Sequence, residues 1–200
     1  MKILVTGAKG FIGKNLLIEL KNRGYSDIVE YDIDTDLRTL AEYTRECEFV
    51  YHLAGVNRPE DPKDFMAGNF GLTSILLDNL KKHNNLAPVL ITSSIQADLD
   101  NPYARSKKAG EDLIATYKQE TGARVLVYRL PNVFGKWCRP NYNSAVATFC
   151  YNIAHELPIK VNDPSTMMNL VYIDDVVNEF IQALAGNETK RDDFCCVEPV

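Results

Sequence analysis

Short apolar runs alternate with helical patterns from Lys2 to Leu130. Five apolar segments are compact runs rather than apolar–polar alternations, which is typical of strands buried on both faces: Lys2–Thr6, Ile28–Tyr31, Phe49–Leu53, Val89–Thr92 and Val125–Leu130. Helical patterns separate them over Phe11–Leu20, Leu37–Cys47, Pro62–His83 and Pro102–Gln119. An alternation of this kind predicts an α/β fold with a parallel sheet and right-handed crossovers.

Beyond Gly135 the pattern is less regular. A polar, aromatic loop over residues 136–143 precedes a predicted helix at Ser144–Glu156, a short strand at Ile159–Val161, a helix at Asp174–Ala185 and a last strand at Phe194–Val197. No repeat or linker is visible, so residues 1–200 are expected to form one domain, with substrate-lobe elements from about 136 to 200. The sequence ends just after an apolar segment, which is compatible with a truncated lobe.

Composition and charge narrow the class of partner. Of the 200 residues, 46% are hydrophobic and 24% are charged, which is the balance of a soluble globular domain. A formal net charge of -5 offers no basic footprint for nucleic acid. The apolar runs are far shorter than the roughly 18 residues of a bilayer span. We therefore expect neither a nucleic-acid nor a membrane partner.

The cysteines point to a reducing compartment. They are odd in number, scattered and without the paired spacing of a zinc site or a redox dithiol: Cys47, Cys138, Cys150, Cys195 and Cys196. His52 ends an apolar strand and has no partner at ligand spacing, so it is interpreted as a core or cofactor-rim histidine. The sequence predicts a cytoplasmic protein without a metal site.

A glycine cluster follows the first predicted strand and opens the first helix. The spacing of Gly7, Gly10 and Gly13 departs from the usual Gly-x-Gly-x-x-Gly, but the physical reasons for glycine are the same. Gly7 allows the tight turn, Gly10 lets the backbone approach a pyrophosphate, and Gly13 lets the helix pack closely on the strand. The helix N-terminus adds N–H donors for an anion. This arrangement predicts a dinucleotide site, with a plain turn and helix start as the alternative.

An acidic residue strengthens the dinucleotide interpretation. Asp32 closes the second predicted strand, 19 residues after Gly13. This is close to the spacing of about 20 at which a carboxylate accepts hydrogen bonds from the adenosine ribose. The alternative is a polar residue at a strand end.

A second set of residues suggests acid–base chemistry. Tyr103 and Lys107 are four residues apart near a helix start, so they share one helical face. A cation beside a tyrosine favours the phenolate and lowers the tyrosine pKa. Thr92, Ser93 and Ser94 end the fourth predicted strand, at the sheet edge where open α/β sheets bind ligands. A hydroxyl there can hold a substrate oxygen against Tyr103, although such a pair is also common on solvated helices.

The whole chain resembles the extended short-chain dehydrogenase/reductase superfamily. The motifs that carry the resemblance are Thr6-Gly7-x-x-Gly10-Phe11-Ile12-Gly13, His52-Leu53-Ala54-Gly55, Asn69-Phe70-Gly71, Tyr103-x-x-x-Lys107, Pro131-Asn132-Val133-Phe134-Gly135 and Val171-Tyr172-Ile173-Asp174-Asp175. The resemblance implies a Rossmann-type doubly wound parallel sheet with a small C-terminal substrate lobe, and a homodimer.

The resemblance also implies roles for residues. Tyr103 would be the proton donor or acceptor, Lys107 would tune it and bind the nicotinamide ribose, and Ser94 would orient the sugar oxygen, with Ser93 as the substitute if the strand register differs by one. The implied cofactor-binding residues are Gly7, Lys9, Gly10, Phe11, Ile12, Gly13, Asp32, Leu53, Ala54, Gly55, Asn69, Tyr103, Lys107 and Pro131.

Finer features are similar to the capsular polysaccharide synthesis protein F family, bacterial nucleotide-sugar reductases. These features are Ala54–Pro59, Ser93–Ala97, Asn101–Tyr103 and Phe134–Asn143. In that family an NADPH hydride reduces a 4-keto-6-deoxy UDP-hexosamine, and a following metal-binding cupin domain performs an epimerisation. The sequence contains no cupin, so no epimerisation is assigned to it. The candidates for the diphosphate and sugar pocket are Arg58, Arg139, Asn141 and Asn143, with loop solvation as the alternative for each.

Two departures refine the expectation. Ile95, Gln96 and Ala97 stand where dehydratases carry their elimination pair, which disfavours dehydration. Asp32 would repel a ribose 2'-phosphate, whereas Lys9 and Arg38 would attract one, so the cofactor is expected to be NADP(H) or NAD(H).

Three functions remain open on the sequence. The first is an NAD(P)H-dependent reductase of a 4-keto-6-deoxy nucleotide sugar in capsular or surface polysaccharide precursor synthesis. The second is a nucleotide-sugar epimerase of the same superfamily. The third is a non-catalytic NAD(P)-binding sensor or scaffold, which would have no need of Ser94, Tyr103 and Lys107 together.

Overall fold

The computed structural model describes residues 1–200. Its first part, up to Leu130, follows the predicted alternation of strands and helices. Its elements are β1 (Ile3–Thr6), α1 (Phe11–Asn22), β2 (Ile28–Tyr31), α2 (Leu37–Glu46), β3 (Phe49–His52), a π-helical turn (Met66–Gly71) that continues into α3 (Leu72–Lys82), β4 (Val89–Ser94), α4 (Pro102–Thr121) and β5 (Val125–Leu130). The second part contains β6 (Asn132–Phe134), α5 (Ala145–Ala154), β7 (Leu170–Tyr172), α6 (Ile173–Leu184), β8 (Lys190–Arg191) and β9 (Phe194–Cys195).

The main sheet has the order β2-β1-β3-β4-β5-β9-β8. All its strand pairs are parallel except β8 with β9. The direction of sheet growth reverses at β1, because β2 is added on one side of it and β3 on the other. The carboxyl ends of β1 and β3 therefore form the topological switch point at which open α/β sheets bind ligands.

Helices cover both faces of this sheet, which confirms the doubly wound α/β fold. One buried cluster joins β-strand residues to Leu16 and Leu20 of α1 and Phe180 of α6. The other joins the opposite face of the sheet to α2, α3 and α4 and includes Leu40 and Ile114. β1 and β3 are buried along their whole length, as the compact apolar runs predicted.

Local sequence explains where α4 begins and ends, which matters because α4 carries Tyr103 and Lys107. The Asn101 side chain accepts a hydrogen bond from the Ala104 backbone N–H at 2.9 Å, and Pro102 occupies the first helical position. Gly122 ends the helix with a φ of 74°, a conformation that glycine adopts readily. The predicted stop at Gln119 was two residues short.

One sequence prediction was wrong. Ile159–Val161 is not a strand: both named residues are exposed and no strand pairs with them. The parallel pair that does form is β6 with β7, in the register Val133 to Val171. The predicted helix at Pro62–His83 forms as one continuous helical stretch from residue 64 to Lys82, with a π-helical turn at Met66–Gly71, where the Asn69 side chain bonds the backbone of Val56 instead of pointing to solvent.

Candidate functional site

A cleft of about 850 Å³ opens at the carboxyl edge of the parallel sheet. Its walls come from the turn after β1, the loop after β3, the end of β4, the first turns of α4 and the segment that follows β5. The predicted site residues that line it are Lys9, Gly10, Phe11, Ile12, Leu53, Gly55, Arg58, Ser94, Tyr103, Lys107, Pro131, Arg139 and Asn143. The cleft thus lies at the topological switch point.

The glycine turn sits against the segment that follows β3, too closely for any side chain on Gly7. A Cβ on Gly7 would lie 2.6 Å from the backbone nitrogen of Ala54, and the φ of Gly7 is +69°. A Cβ on Gly13 would lie 2.2 Å from the Gly7 carbonyl oxygen. α1 therefore starts directly above the sheet edge, and Gly10 at its N-cap offers no side-chain acceptor to its first N–H groups. Such a bare helix N-terminus in a close-packed turn fits a dinucleotide pyrophosphate.

The predicted ribose carboxylate instead stabilises the turn in this structure. Asp32 accepts hydrogen bonds from the backbone N–H groups of Lys9 at 2.7 Å and Ile33 at 2.8 Å, and it does not line the cleft. The ammonium of Lys9 pairs with the exposed Asp34. The pairing raises the pKa of Lys9, so this residue carries its positive charge with a carboxylate beside it.

Tyr103, Lys107 and Ser94 meet inside the cleft. The Lys107 ammonium lies 6.0 Å from the centre of the Tyr103 ring and donates a hydrogen bond to the Thr92 carbonyl at 3.3 Å. Burial raises the pKa of Tyr103, and hydrogen bonding with the Ser94 side chain opposes that shift. Burial lowers the pKa of Lys107 to about 8, against the charge of Glu111. The Ser94 hydroxyl, the Tyr103 phenol and the Lys107 ammonium thus surround one space in the cleft.

The two serines at the end of β4 differ in their partners. The Ser93 hydroxyl donates to Glu111 Oε1 at 2.6 Å, in a buried contact. The Ser94 hydroxyl accepts from the Gln96 backbone N–H at 3.2 Å and contributes to the hydrogen bonding of Tyr103. Ser94 is thus the hydroxyl with a free direction toward a ligand, and the register places it as the sequence predicted.

Asn69 and Ala54 do not line the cleft, but the Asn69 side chain supports it from behind. The Asn69 side chain accepts from the Val56 N–H at 2.9 Å and donates to the Val56 carbonyl at 3.0 Å and to Ser106 Oγ at 2.9 Å. It therefore ties the loop after β3, which carries Leu53 and Gly55, to α4. Asn69 holds this loop in position in the structure.

His52 belongs to the same buried network. Thr73 donates its hydroxyl proton to the Asn69 carbonyl at 2.6 Å, so its oxygen accepts from His52 Nε2, 2.8 Å away. His52 Nδ1 then accepts from Thr6 Oγ1, also at 2.8 Å. Burial lowers the pKa of His52 to about 3, with a smaller effect from the charge of Lys107. His52 is a neutral core histidine, as predicted.

The candidate substrate residues lie on two exposed loops. Arg58, Arg139 and Asn143 line the cleft, and the Arg139 guanidinium lies 5.4 Å from the centre of the Tyr142 ring. Asn141 does not line the cleft. Its backbone N–H donates to Thr148 Oγ1 at 2.9 Å, which ties the loop to the first turn of α5. The structure therefore brings three of the four predicted residues together.

Sequence reasoning missed several residues of the cleft wall: Lys14, Asn57, Trp137 and Tyr142. Lys14 lies one turn into α1, where position alone could have indicated a cation near the anion-binding end of the helix. Trp137 has a φ of 68° in the loop after β6, and no sequence signal predicts where that conformation directs its ring.

The charge of the cleft is one-sided. Its lining includes no aspartate or glutamate, although the chain as a whole carries a formal charge of -5. The five cationic residues of the lining are Lys9, Lys14, Arg58, Lys107 and Arg139. Only Lys9 among them is paired with a carboxylate within salt-bridge distance. A long cleft with this lining favours ligands that carry several negative charges.

The sequence pattern of the NAD dependent epimerase/dehydratase family matches residues 3–194. The chain belongs to this family. The chain is similar to a Pseudomonas aeruginosa protein, UDP-2-acetamido-2,6-beta-L-arabino-hexul-4-ose reductase, with 48% identity over 186 residues, 93% of this chain and 50% of that protein. UDP-glucuronate 4-epimerase 1 of Arabidopsis thaliana is 28% identical over 92% of this chain and 55% of its own length.

Solved structures place the fold in the same group. The capsular polysaccharide assembling protein CapF from Staphylococcus aureus superposes with a TM-score of 0.88 at 45% identity, covering 98% of this chain and 53% of CapF. UDP-glucuronic acid 4-epimerase from Bacillus cereus in complex with NAD superposes with a TM-score of 0.81 at 24% identity, covering 95% of this chain and 75% of the epimerase, and supports the fold alone. The chain spans about half the length of its curated relatives.

For a member of the NAD dependent epimerase/dehydratase family, the close turn at Gly7 and Gly13 is the feature that fits a nicotinamide dinucleotide. The same cleft is also lined by Arg139 and Asn143, outside the dinucleotide turn. No helix of the structure combines the length and the apolarity needed to cross a membrane.

Proposed function

We propose that the chain is an NAD(P)H-dependent reductase of a 4-keto-6-deoxy nucleotide sugar of the UDP-N-acetylhexosamine type, serving surface or capsular polysaccharide precursor synthesis. The observation that carries the proposal is one cleft that combines Ser94, Tyr103 and Lys107 with a lining free of carboxylates. Two diphosphate-bearing ligands, a dinucleotide and a nucleotide sugar, suit that lining. The similarity to the Pseudomonas reductase supports the choice of reaction.

The dinucleotide would be held at the bare N-terminus of α1 and along the loop after β3. The residues for this role are those of the glycine turn together with Lys9, Phe11, Ile12, Leu53, Ala54, Gly55, Asn69, Lys107 and Pro131, with Asp32 shaping the turn and available to the ribose. When bound, NADH or NADPH supplies the hydride for reduction of a ketone.

The chain's own residues would then handle the proton and the developing charge. Because burial raises the pKa of Tyr103, the phenol keeps its proton at neutral pH and is suited to donate it to the forming alkoxide. Ser94 would hold the same oxygen by a hydrogen bond. Lys107, between Tyr103 and the sheet edge, would stabilise the phenolate that remains.

The far part of the cleft would bind the nucleotide sugar. Arg58 and Arg139 offer guanidinium groups to a diphosphate, and Asn143 offers an amide to the sugar hydroxyls. Asn141 does not line the cleft, so it would affect sugar binding only by holding this loop in position.

An epimerase is the second candidate, because plant UDP-glucuronate 4-epimerases are among the relatives of the chain. The two functions differ in the fate of the cofactor. A reductase consumes one reduced cofactor per product, whereas an epimerase recovers its hydride.

The test mixes the purified chain with NADPH, and separately with NADH, and a 4-keto-6-deoxy UDP-N-acetylhexosamine. The expected result is stoichiometric loss of the reduced-cofactor absorbance, with a product of altered mass. Cofactor binding without oxidation, alongside interconversion of UDP-sugar epimers, would replace the reductase by the epimerase. Cofactor binding with neither reaction would leave the sensor interpretation.

We further propose that the chain works in the cytoplasm as a homodimer. All five cysteines are free, in keeping with a reducing compartment. α5 exposes Tyr151 and Ile153 and has no fully buried residue, which offers an apolar face to a second copy. Light scattering coupled to size-exclusion chromatography would give twice the 22.5 kDa chain mass for a dimer.

A further inference from the structure

Glu111 is a buried carboxylate just outside the cleft. It lies on α4 one turn after Lys107, is only 5% exposed, and accepts three hydrogen bonds. Ser93 Oγ donates to Glu111 Oε1 at 2.6 Å, Arg129 Nε donates to the same oxygen at 2.9 Å, and a terminal nitrogen of Arg129 donates to Oε2 at 2.7 Å. A buried ion pair of this kind does not by itself indicate a role in stability, because well-packed apolar residues of similar volume often stabilise a fold equally well.

Arg129 connects this carboxylate to the loop between Ser94 and Tyr103. It stands on β5 directly opposite Ser93 in the strand register. Its other edge donates two hydrogen bonds to the Asp98 carboxylate, at 2.6 and 3.1 Å. Asp98 lies in the loop that separates Ser94 from Tyr103 along the chain. One guanidinium therefore ties the end of β4, the following loop and α4 together.

We propose that Glu111 is a positioning residue for the candidate reaction: it holds the serine-bearing end of β4 against α4 and supplies Lys107 with a nearby negative charge. The inference rests on the proposed function, since it assigns Glu111 a part in the work of Ser94, Tyr103 and Lys107. Glu111 does not line the cleft and reaches no ligand itself.

The surroundings of Lys107 contain no other anion that would take over this task. On α4 its neighbours one turn before and one turn after are Tyr103 and Glu111. On β3 its neighbour is His52, which stays neutral because burial lowers the His52 pKa to about 3. On β4 it meets the Thr92 carbonyl. Burial lowers the pKa of Lys107 to about 8, and Glu111 is the one charge that raises it. Without Glu111, Lys107 would lose its proton at lower pH.

The test compares Glu111→Gln with Asp112→Asn in the full chain. Asp112 is the next residue of α4 and is exposed, and its carboxylate lies 3.3 Å from the Lys108 ammonium, so its variant removes the same charge from the same helix. In Glu111→Gln the alkaline limb of the kcat profile for ketosugar reduction is expected to move about one unit toward lower pH. We expect kcat at pH 8 to fall more than KM changes, and Asp112→Asn to keep the wild-type profile.

A second readout needs no substrate. NMR of chain labelled with ¹³Cε-lysine follows the Lys107 resonance, assigned by its absence in Lys107→Arg. Glu111→Gln should lower the Lys107 titration midpoint while Asp112→Asn should not. An unmoved midpoint in Glu111→Gln overturns the inference, whether or not the chain reduces ketosugars. A moved midpoint in a chain that reduces none supports the electrostatic effect of Glu111 but overturns both the proposed function and the positioning role that depends on it.

A fallback variant covers the case in which Glu111→Gln does not fold. Glu111→Asp keeps the anion that Arg129 requires and withdraws it by one methylene from Ser93. The expected change is a smaller move of the Lys107 midpoint in the same direction, with a native circular-dichroism spectrum. A folded Glu111→Asp with a wild-type midpoint and a wild-type kcat overturns the inference.

Discussion

The parallel sheet and the segment from 136 to 169 contribute to one cleft in different ways. β1 and β3 are buried at every residue, and the loop after β3 is held at Val56 by two hydrogen bonds with the Asn69 side chain. In the other segment α5 has no fully buried residue and every residue from 153 to 169 is exposed. The proposed proton chemistry therefore rests on rigid elements, while proposed substrate recognition rests on a loosely packed surface. Changes in the first region should affect turnover and folding, and changes in the second should affect substrate binding.

The largest effect is expected from Tyr103→Phe compared with Tyr142→Phe. Loss of a general acid lowers a rate by about 10²- to 10⁴-fold, so Tyr103→Phe should reduce kcat by that factor and leave cofactor affinity nearly unchanged. Tyr142 also lines the cleft, from the exposed segment, and its variant should alter KM by less than about tenfold. Cofactor oxidation rates and fluorescence titration with NADPH measure both. Equal losses of kcat would remove the distinction between the two regions.

Stability should differ between the regions almost as strongly. Phe180 is fully buried in the core, so Phe180→Ala should lower the free energy of unfolding by about 3–5 kcal/mol. Val161, in the exposed segment after α5, is 57% exposed, and Val161→Ala should change this free energy by no more than about 0.5 kcal/mol. Urea unfolding followed by circular dichroism gives both values. A large loss in Val161→Ala would show that the segment after α5 is covered in solution.

The buried His52 should make the free energy of unfolding depend on pH. In the unfolded chain His52 takes up a proton near its ordinary pKa of 6.5, whereas in the folded chain its pKa is about 3. The unfolded state therefore binds more protons between these values, and the free energy of unfolding should fall as the pH drops from about 6.5 toward 3. His52→Gln should flatten this fall relative to wild type. His155→Gln, at the exposed end of α5, is the matched control, and an equal flattening there would contradict the assignment.

The smallest effect is expected at the edge of the dinucleotide turn. Asp34→Asn removes the exposed carboxylate that pairs with Lys9 and leaves the Lys9 ammonium available to a ribose 2'-phosphate. Because exposed ion pairs contribute little, the ratio of NADPH to NADH affinity should rise only about two- to fivefold. Titration of both cofactors against wild type, Asp34→Asn and Lys9→Met measures this. A preference that is unchanged in both variants would place the determinant elsewhere.

How much the sequence revealed also differs between the regions. The strands with compact apolar runs were predicted within one or two residues, because burial on both faces leaves a clear signal. β6 and β7 were not predicted as strands, since three residues after Pro131 carry no periodicity and their pairing depends on tertiary contacts. Ile159–Val161 has the same apolar character as a short strand, yet it lacks a partner. Local composition alone does not distinguish these cases.

The candidate site shows the same limit. The spacing of Tyr103 and Lys107 on one helix identified them, because both lie in one regular element. Trp137 and Arg129 escaped notice for different reasons: the position of Trp137 depends on a loop conformation, and the importance of Arg129 depends on contacts with residues 18 and 31 positions away in the sequence.

The carboxylate-free lining of the cleft has a consequence for behaviour in different buffers. A protein with negative net charge but a positive cleft focuses its field into that cleft, and anionic ligands are drawn there before they make contact. Dissolved salt weakens such attraction over a screening length of about 8 Å at physiological ionic strength. Association of both ligands should therefore slow as ionic strength rises, while the rate of the bound complex stays nearly constant. Affinity would then track the salinity of the medium, and turnover would not.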